Sequence, residues 1–193
     1  RLPGGGAAPP CARRGLRTRL WTRSREHFEA MTQTRVNARY LPDFPLPEGL
    51  VVEHDLARAL AGAEFVILSI PSHGLRATLV QVRAALAELD AAGEAIRPYS
   101  LIAAKGVEID TLQTMADVVK ETLPKEHADR MAVLGGPSLA AEVARGLPTA
   151  VVIASEDAAA AAKIQQWMHG DGLRAYVTDD VVGVELGGAF KNV

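Results

Sequence analysis

Apolar and polar positions along this chain switch between two periods, which predicts a repeating strand–helix order from about residue 16 onward. Residues 17–23 alternate Thr18, Leu20 and Thr22 against Arg17, Arg19 and Trp21, the pattern of a strand. Residues 24–34 follow as a charged helix with Phe28 and Met31 on one face. The stretch 40–49 carries Pro42, Pro45 and Pro47 and predicts an extended loop. A short strand at 50–53 leads to Asp55, a good N-cap for a helix at 56–60.

The strongest strand is 64–70, apolar almost throughout, as for a parallel strand covered on both faces. Pro71 and Ser72 turn it into a helix at 73–89. The cycle then repeats. A strand at 100–104, the turn Lys105-Gly106 and a helix at 111–123 are followed by a strand at 131–134, the turn 135–138 and a helix at 139–145. A strand at 149–154 and an Ala-rich helix at 157–169 come next, then a strand at 173–177 and a helix from Asp180. This order predicts an α/β fold, a Rossmann-like doubly wound and mainly parallel sheet, with ligands bound outside the carboxyl ends of the strands.

Composition narrows the function classes. With 193 residues, 48% hydrophobic, the chain can bury a real core in one domain. A net charge of −2 gives no reason to expect nucleic acid or an anionic membrane surface. Cys11 is the lone cysteine, so no disulfide framework lies within the chain, and the five histidines never fall at metal-ligand spacing; no metal site is expected. No apolar run approaches the roughly 18 residues of a membrane span, and without a secretory signal pattern the expected location is cytoplasmic. The chain opens on Arg1 and closes on Lys191-Asn192-Val193 with no helix stop, so it reads as a fragment.

Three turns at the strand ends carry chemistry: Pro71-Ser72, Lys105-Gly106 and Gly136-Pro137-Ser138. Lys105 is either a solvated lysine closing a strand or an ammonium aimed into the crevice. The glycine turn at 135–138 opens a helix, suiting an anion as well as an ordinary Ser138 cap. Val184, Gly188 and Lys191 share a helical face, where small neighbours allow close approach and a partly dry lysine can serve in acid–base chemistry; the alternative is a surface lysine. Arg23 and Arg25 follow the strand whose end reads the adenosine ribose in nucleotide folds, where an arginine suits a 2′-phosphate; the alternative is a basic helix start with no ligand. His73, at a helix start beside the crevice, is the one histidine retained as a candidate.

Seven segments occur in one order: Leu20-Trp-Thr-Arg23, Asn37-Ala-Arg-Tyr-Leu-Pro42, Ile70-Pro-Ser72, Ala104-Lys-Gly-Val-Glu108, Gly135-Gly-Pro-Ser-Leu-Ala-Ala-Glu-Val143, Tyr176-Val-Thr-Asp-Asp180 and Gly183-Val-Glu-Leu-Gly-Gly-Ala-Phe-Lys-Asn192. Together they closely resemble the bacterial NAD(P)-dependent glycerol-3-phosphate dehydrogenases, over roughly residue 12 to the end. The resemblance implies reversible reduction of dihydroxyacetone phosphate to sn-glycerol 3-phosphate, for glycerophospholipid synthesis. It implies Lys191 as general acid/base, Lys105, Gly136, Ser138 and Lys191 at the substrate, and Arg23, Tyr40, Lys105 and Ala140 at the cofactor. The cofactor is NADP or NAD, with Arg23 favouring NADPH, and a homodimer of the intact enzyme is compatible.

Departures from the family pattern are also visible. Gly4-Gly5-Gly6-Ala7 resembles the family's phosphate-binding turn, but no strand precedes it and Pro9-Pro10 stand where a helix should start. Residues 1–15 are therefore expected to be an irregular or damaged start, 16–178 the nucleotide-binding domain, and 179–193 the first helix of a truncated helical domain. Gly135 stands where the family usually has Ser, and Phe190 where it usually has Leu. The fragment alone is expected to lack turnover. Two rival readings remain: another dehydrogenase of this architecture, acting on a 3-hydroxyacid or ketopantoate-like substrate, and a non-catalytic dinucleotide-binding module.

Overall fold

The computed structural model describes residues 15–136, 140–170 and 172–190. In chain order, β1 (Thr18–Trp21) runs into α1 (Arg25–Thr34), which the Ser24 hydroxyl caps by accepting from the His27 amide at 3.2 Å. β2 (Val36–Asn37) and β3 (Leu41–Pro45) form an antiparallel ribbon, so the loop expected at 40–49 is partly a strand. The prolines hid it: Pro42 and Pro45 lie exposed on a two-stranded edge, where a strand tolerates a missing N–H. β4 (Leu50–Glu53) pairs in parallel with β1, and Asp55 caps α2 (Leu56–Leu60) by accepting from the Arg58 amide, both as the pattern predicts.

The larger sheet follows. β5 (Phe65–Leu68) leads to α3 (Ser72–Ala91). β6 (Tyr99–Ile102) leads to α4 (Met115–Thr122) and α5 (Lys125–Ala128). β7 (Met131–Gly135), α6 (Ala140–Ala144), β8 (Thr149–Ala154), α7 (Ala158–Met168), β9 (Leu173–Thr178) and α8 (Val181–Phe190) complete the chain. The five strands stand in the order β5-β6-β7-β8-β9. Among the described residues no strand joins this sheet to the β1–β4 pair, so the expected wound sheet is present as a parallel pair and a separate, mainly parallel five-stranded sheet.

Three expectations change in detail. β5 is shorter than 64–70 and lies at an edge, with Phe65, Val66 and Ile67 only half-buried instead of covered on both faces. The helix expected at 111–123 starts at Met115, because Leu112 adopts a left-handed backbone (φ 57°) and Thr114 and Asp117 close a reciprocal capping box. β8 runs antiparallel to β7. The five residues of α6 rise only about 8 Å, too little to carry the chain back along a strand, so it returns from the end it left.

Alternation along the strands divides the core. Ile102 and Val133 point to the face covered by α3 and α4, where Leu75, Leu79, Val118 and Val119 are buried. Leu101, Ala132 and Leu134 point to the other face, against Ile164 and Met168 of α7. Burying one such leucine contributes about 1.5–3 kcal/mol, which makes this two-faced sandwich the rigid support for the strand ends. A smaller cluster of Met31, Leu46, Leu50 and Val52 seats α1 on the β1–β4 pair.

α8 crosses the end of β7. A Cβ placed on Gly135 would lie 2.6 Å from the Val184 Cγ1, so the absence of a side chain lets this helix sit against the strand. Gly135→Ala is expected to push Val184 off β7 and to destabilise the chain by about 1–3 kcal/mol, read from the urea unfolding midpoint.

Candidate active site at the strand ends

At the carboxyl ends of the larger sheet, Ser72, the Lys105-Gly106 turn and the Gly136 backbone come together. Gly106, at φ +116°, brings its backbone under Ser72, whose hydroxyl lies 3.4 Å from where a Gly106 Cβ would stand. Gly136, at φ +106°, folds back over β8, and a Cβ there would meet the Ala150 carbonyl oxygen at 3.0 Å. Both positions demand glycine for conformation, and Gly136 for space as well. The Lys105 ammonium crosses from β6 to β7 and donates to the Gly136 carbonyl oxygen at 2.8 Å. Its half-buried stem lies across α8, with the Cγ 3.7 Å from a Cβ built on Gly188.

A small open cleft lies between these elements, lined among others by Lys105, Gly106, Val133, Val184, Glu185 and Gly188. Lys105 and Gly136, two residues singled out from sequence, are thus in direct contact. Ala140 opens α6 and is half-buried. Arg23 is exposed just past β1, and Tyr40 is half-buried before β3, its ring edge-on to His27 and under the Arg39 guanidinium at 5.2 Å. These two belong to the β1–β4 and ribbon side of the molecule. His73 is exposed in the first turn of α3. Ser138 and Lys191 lie outside the described residues; the helical face predicted for Lys191 does turn Val184 and Gly188 toward the cleft.

Sequence reasoning missed Glu185. It is 6% exposed, it lines the cleft, and its Oε1 accepts from the Ala116 amide of α4 at 2.9 Å. Burial pushes its carboxyl above the usual carboxylate range, while the Ala116 amide and the Thr114 hydroxyl pull it back. The signal was present: Glu185 is the single charged residue between Val181 and Phe190.

The Lys105 turn is braced from outside the cleft. Arg76 of α3 donates to Glu108 through Nε at 2.8 Å and Nη2 at 2.8 Å, and through Nη2 to Gln113 at 2.6 Å and Glu121 at 3.0 Å. The Thr111 hydroxyl donates to Glu108 Oε2 at 2.7 Å. These hydrogen bonds hold the Glu108 carboxyl down at about 2 and push the Arg76 guanidinium higher still.

A sheet of this topology, with its glycine turns and a charged lysine gathered at the carboxyl ends, defines a Rossmann-like domain of the nucleotide-binding type. Residues 4–161 match the family model described as the N-terminus of NAD-dependent glycerol-3-phosphate dehydrogenase, and the chain belongs to that family. The match begins at residue 4, ahead of the first of the seven segments and at the glycine run that departs from the family's turn.

The chain is 41% identical over 182 residues to the glycerol-3-phosphate dehydrogenase [NAD(P)+] of Halorhodospira halophila, covering 94% of this chain and 51% of that protein. It is 44% identical over 184 residues to that of Geobacter sulfurreducens, covering 94% and 52%. The crystal structure of glycerol-3-phosphate dehydrogenase from Coxiella burnetii matches with a TM-score of 0.82 at 32% identity, over 95% of this chain and 53% of that one. A pyrroline-5-carboxylate reductase from the same organism, at 14% identity and a TM-score of 0.59, shares the fold alone. The chain spans about half the length of the relatives it matches. No described helix is long and apolar enough to cross a membrane.

Because Glu108 ionises at about 2 in the folded chain against an ordinary 4.5, its brace is complete above pH about 4.5 and is lost as the pH falls toward 2. Glu108→Gln is expected to lower the urea midpoint at pH 7 and to converge on the unsubstituted chain near pH 2, a difference followed by circular dichroism.

Proposed function

We propose that this chain is the nucleotide-binding half of an NAD(P)-dependent glycerol-3-phosphate dehydrogenase that interconverts dihydroxyacetone phosphate and sn-glycerol 3-phosphate. The observation that carries the reading is the Lys105 ammonium, held by the Gly136 carbonyl at 2.8 Å and backed by the Gly188 turn of α8. The family match and the curated relatives support the same chemistry. Because the relatives are about twice as long, the reaction is assigned to the intact protein, with the fragment by itself inactive. The intact enzyme is assigned to the cytoplasm, with no nucleic-acid partner.

The dinucleotide is tested by what surrounds its place. Arg23 extends beyond β1 and makes no ion pair among the described residues, as a reader of a ribose phosphate would. This exposed guanidinium fits NADP or NAD, with NADPH favoured; Tyr40 and Ala140 are assigned to the same ligand, and Lys105 to both ligands. When bound, the nicotinamide supplies or accepts the hydride.

The chain's own residues do the rest. Lys105 holds positive charge beside the carbonyl that is reduced, where it stabilises the developing alkoxide. Gly136 and Ser138 hold the three-carbon phosphate. Lys191, three residues after Gly188, donates the proton to the alkoxide in reduction and removes it from the hydroxyl in oxidation.

The test uses the intact protein, this chain continued to the length of its relatives. NADPH oxidation should depend on dihydroxyacetone phosphate, and Lys191→Ala should lower kcat by about 10²–10⁴-fold while the Kd for NADPH stays unchanged. Turnover only on 3-hydroxyacid or ketopantoate-like partners, or NADPH binding without turnover on any of them, would refute the reading. Arg23→Ala should raise the KM for NADPH about tenfold and leave that for NADH unaltered, measured by steady-state kinetics.

A further inference from the structure

A carboxylate buried in an apolar helix is costly to desolvate and persists where a partner holds it. Glu185 sits in this position on α8, with Val181, Val184 and Gly188 as its inward-facing companions. Its Oε1 accepts from Ala116, the second residue of α4, whose amide has no partner within its own helix. The neighbouring Asp117 amide is satisfied separately by the Thr114 hydroxyl at 3.2 Å. The bond therefore joins two helices at one point and in one register. Such a contact defines which way a helix is turned about its axis, a use for which buried polar groups are well suited.

We propose that Glu185 is the positioning residue of this site: by holding the Ala116 amide it sets the rotation of α8 and so the distance from Gly188 to Lys105. This rests on the functional reading above and extends it to a residue with no chemical step of its own. The magnitudes support it. Rotating a helix by about 20° moves a side-chain tip some 6 Å from its axis by about 2 Å. A misplacement of about 1 Å at reacting groups costs on the order of 10²-fold in rate. Gly135 and Val184 set how near α8 lies to β7, but a methyl against a glycine is smooth and slides. The hydrogen bond is directional and does not.

The experiment compares Glu185→Gln and Glu185→Leu in the intact protein. Gln keeps an acceptor for Ala116 and should retain kcat within about threefold. Leu fills the space without an acceptor and should keep the cooperative unfolding transition and the Kd for NADPH, yet lose kcat about 10²-fold. A general structural defect would instead weaken cofactor binding and lower the melting temperature together. The inference is overturned by a Leu variant within threefold of the unsubstituted kcat, by a Gln variant as impaired as Leu, or by a Leu variant that loses NADPH binding or does not fold. Absence of dihydroxyacetone phosphate reduction by the unsubstituted protein overturns the functional reading first, and this inference with it.

Discussion

The Lys105 ammonium and the Gly136 carbonyl, 2.8 Å apart, tie the end of β6 to the end of β7, and the described cleft is organised around that contact. A lysine side chain ordinarily loses considerable rotamer freedom when it is pinned. Here the loss is offset on several sides. Gly136 can present its carbonyl because its backbone occupies a region closed to other residues, Gly188 leaves room for the lysine stem, and Arg76 holds the loop that follows Gly106.

Much of this was legible in the sequence because it depended on local rules. Asp55 before an apolar period is a cap, and α2 begins just after it; the Ala-rich run expected at 157–169 forms α7, with Asp157 as its cap instead of its first residue. The glycines at 106 and 136 mark turns that need positive φ, and both have it. The illegible parts were decided between segments. Nothing in 139–145 announces that its helix is too short to span the sheet, and so the antiparallel return of β8 was hidden. Nothing within 40–49 reveals that Val36 and Asn37 lie alongside it. Glu185 was visible as an anomaly, a charge in an apolar helix, but its meaning lies with Ala116, 69 positions away.

The site residues divide in the same way. Lys105 and Gly136 come together because adjacent strands deliver them, which an alternating pattern can foresee. Arg23 and Tyr40 sit on a part of the molecule built from β1 and the β2–β3 ribbon, whose relation to the larger sheet no periodicity encodes.

The order β5-β6-β7-β8-β9 has a kinetic consequence. Each strand of that sheet lies beside its sequence neighbour, and the connections shorten toward the carboxyl end, from 30 residues between β5 and β6 and 28 between β6 and β7 to 13 between β7 and β8 and 18 between β8 and β9. Loop-closure entropy rises with length, and chains rich in near-neighbour contacts assemble faster. Nucleation accordingly favours β7, β8 and β9, whose 13- and 18-residue connections close more readily than the 28 residues that separate β6 from β7 and β1 from β4 alike.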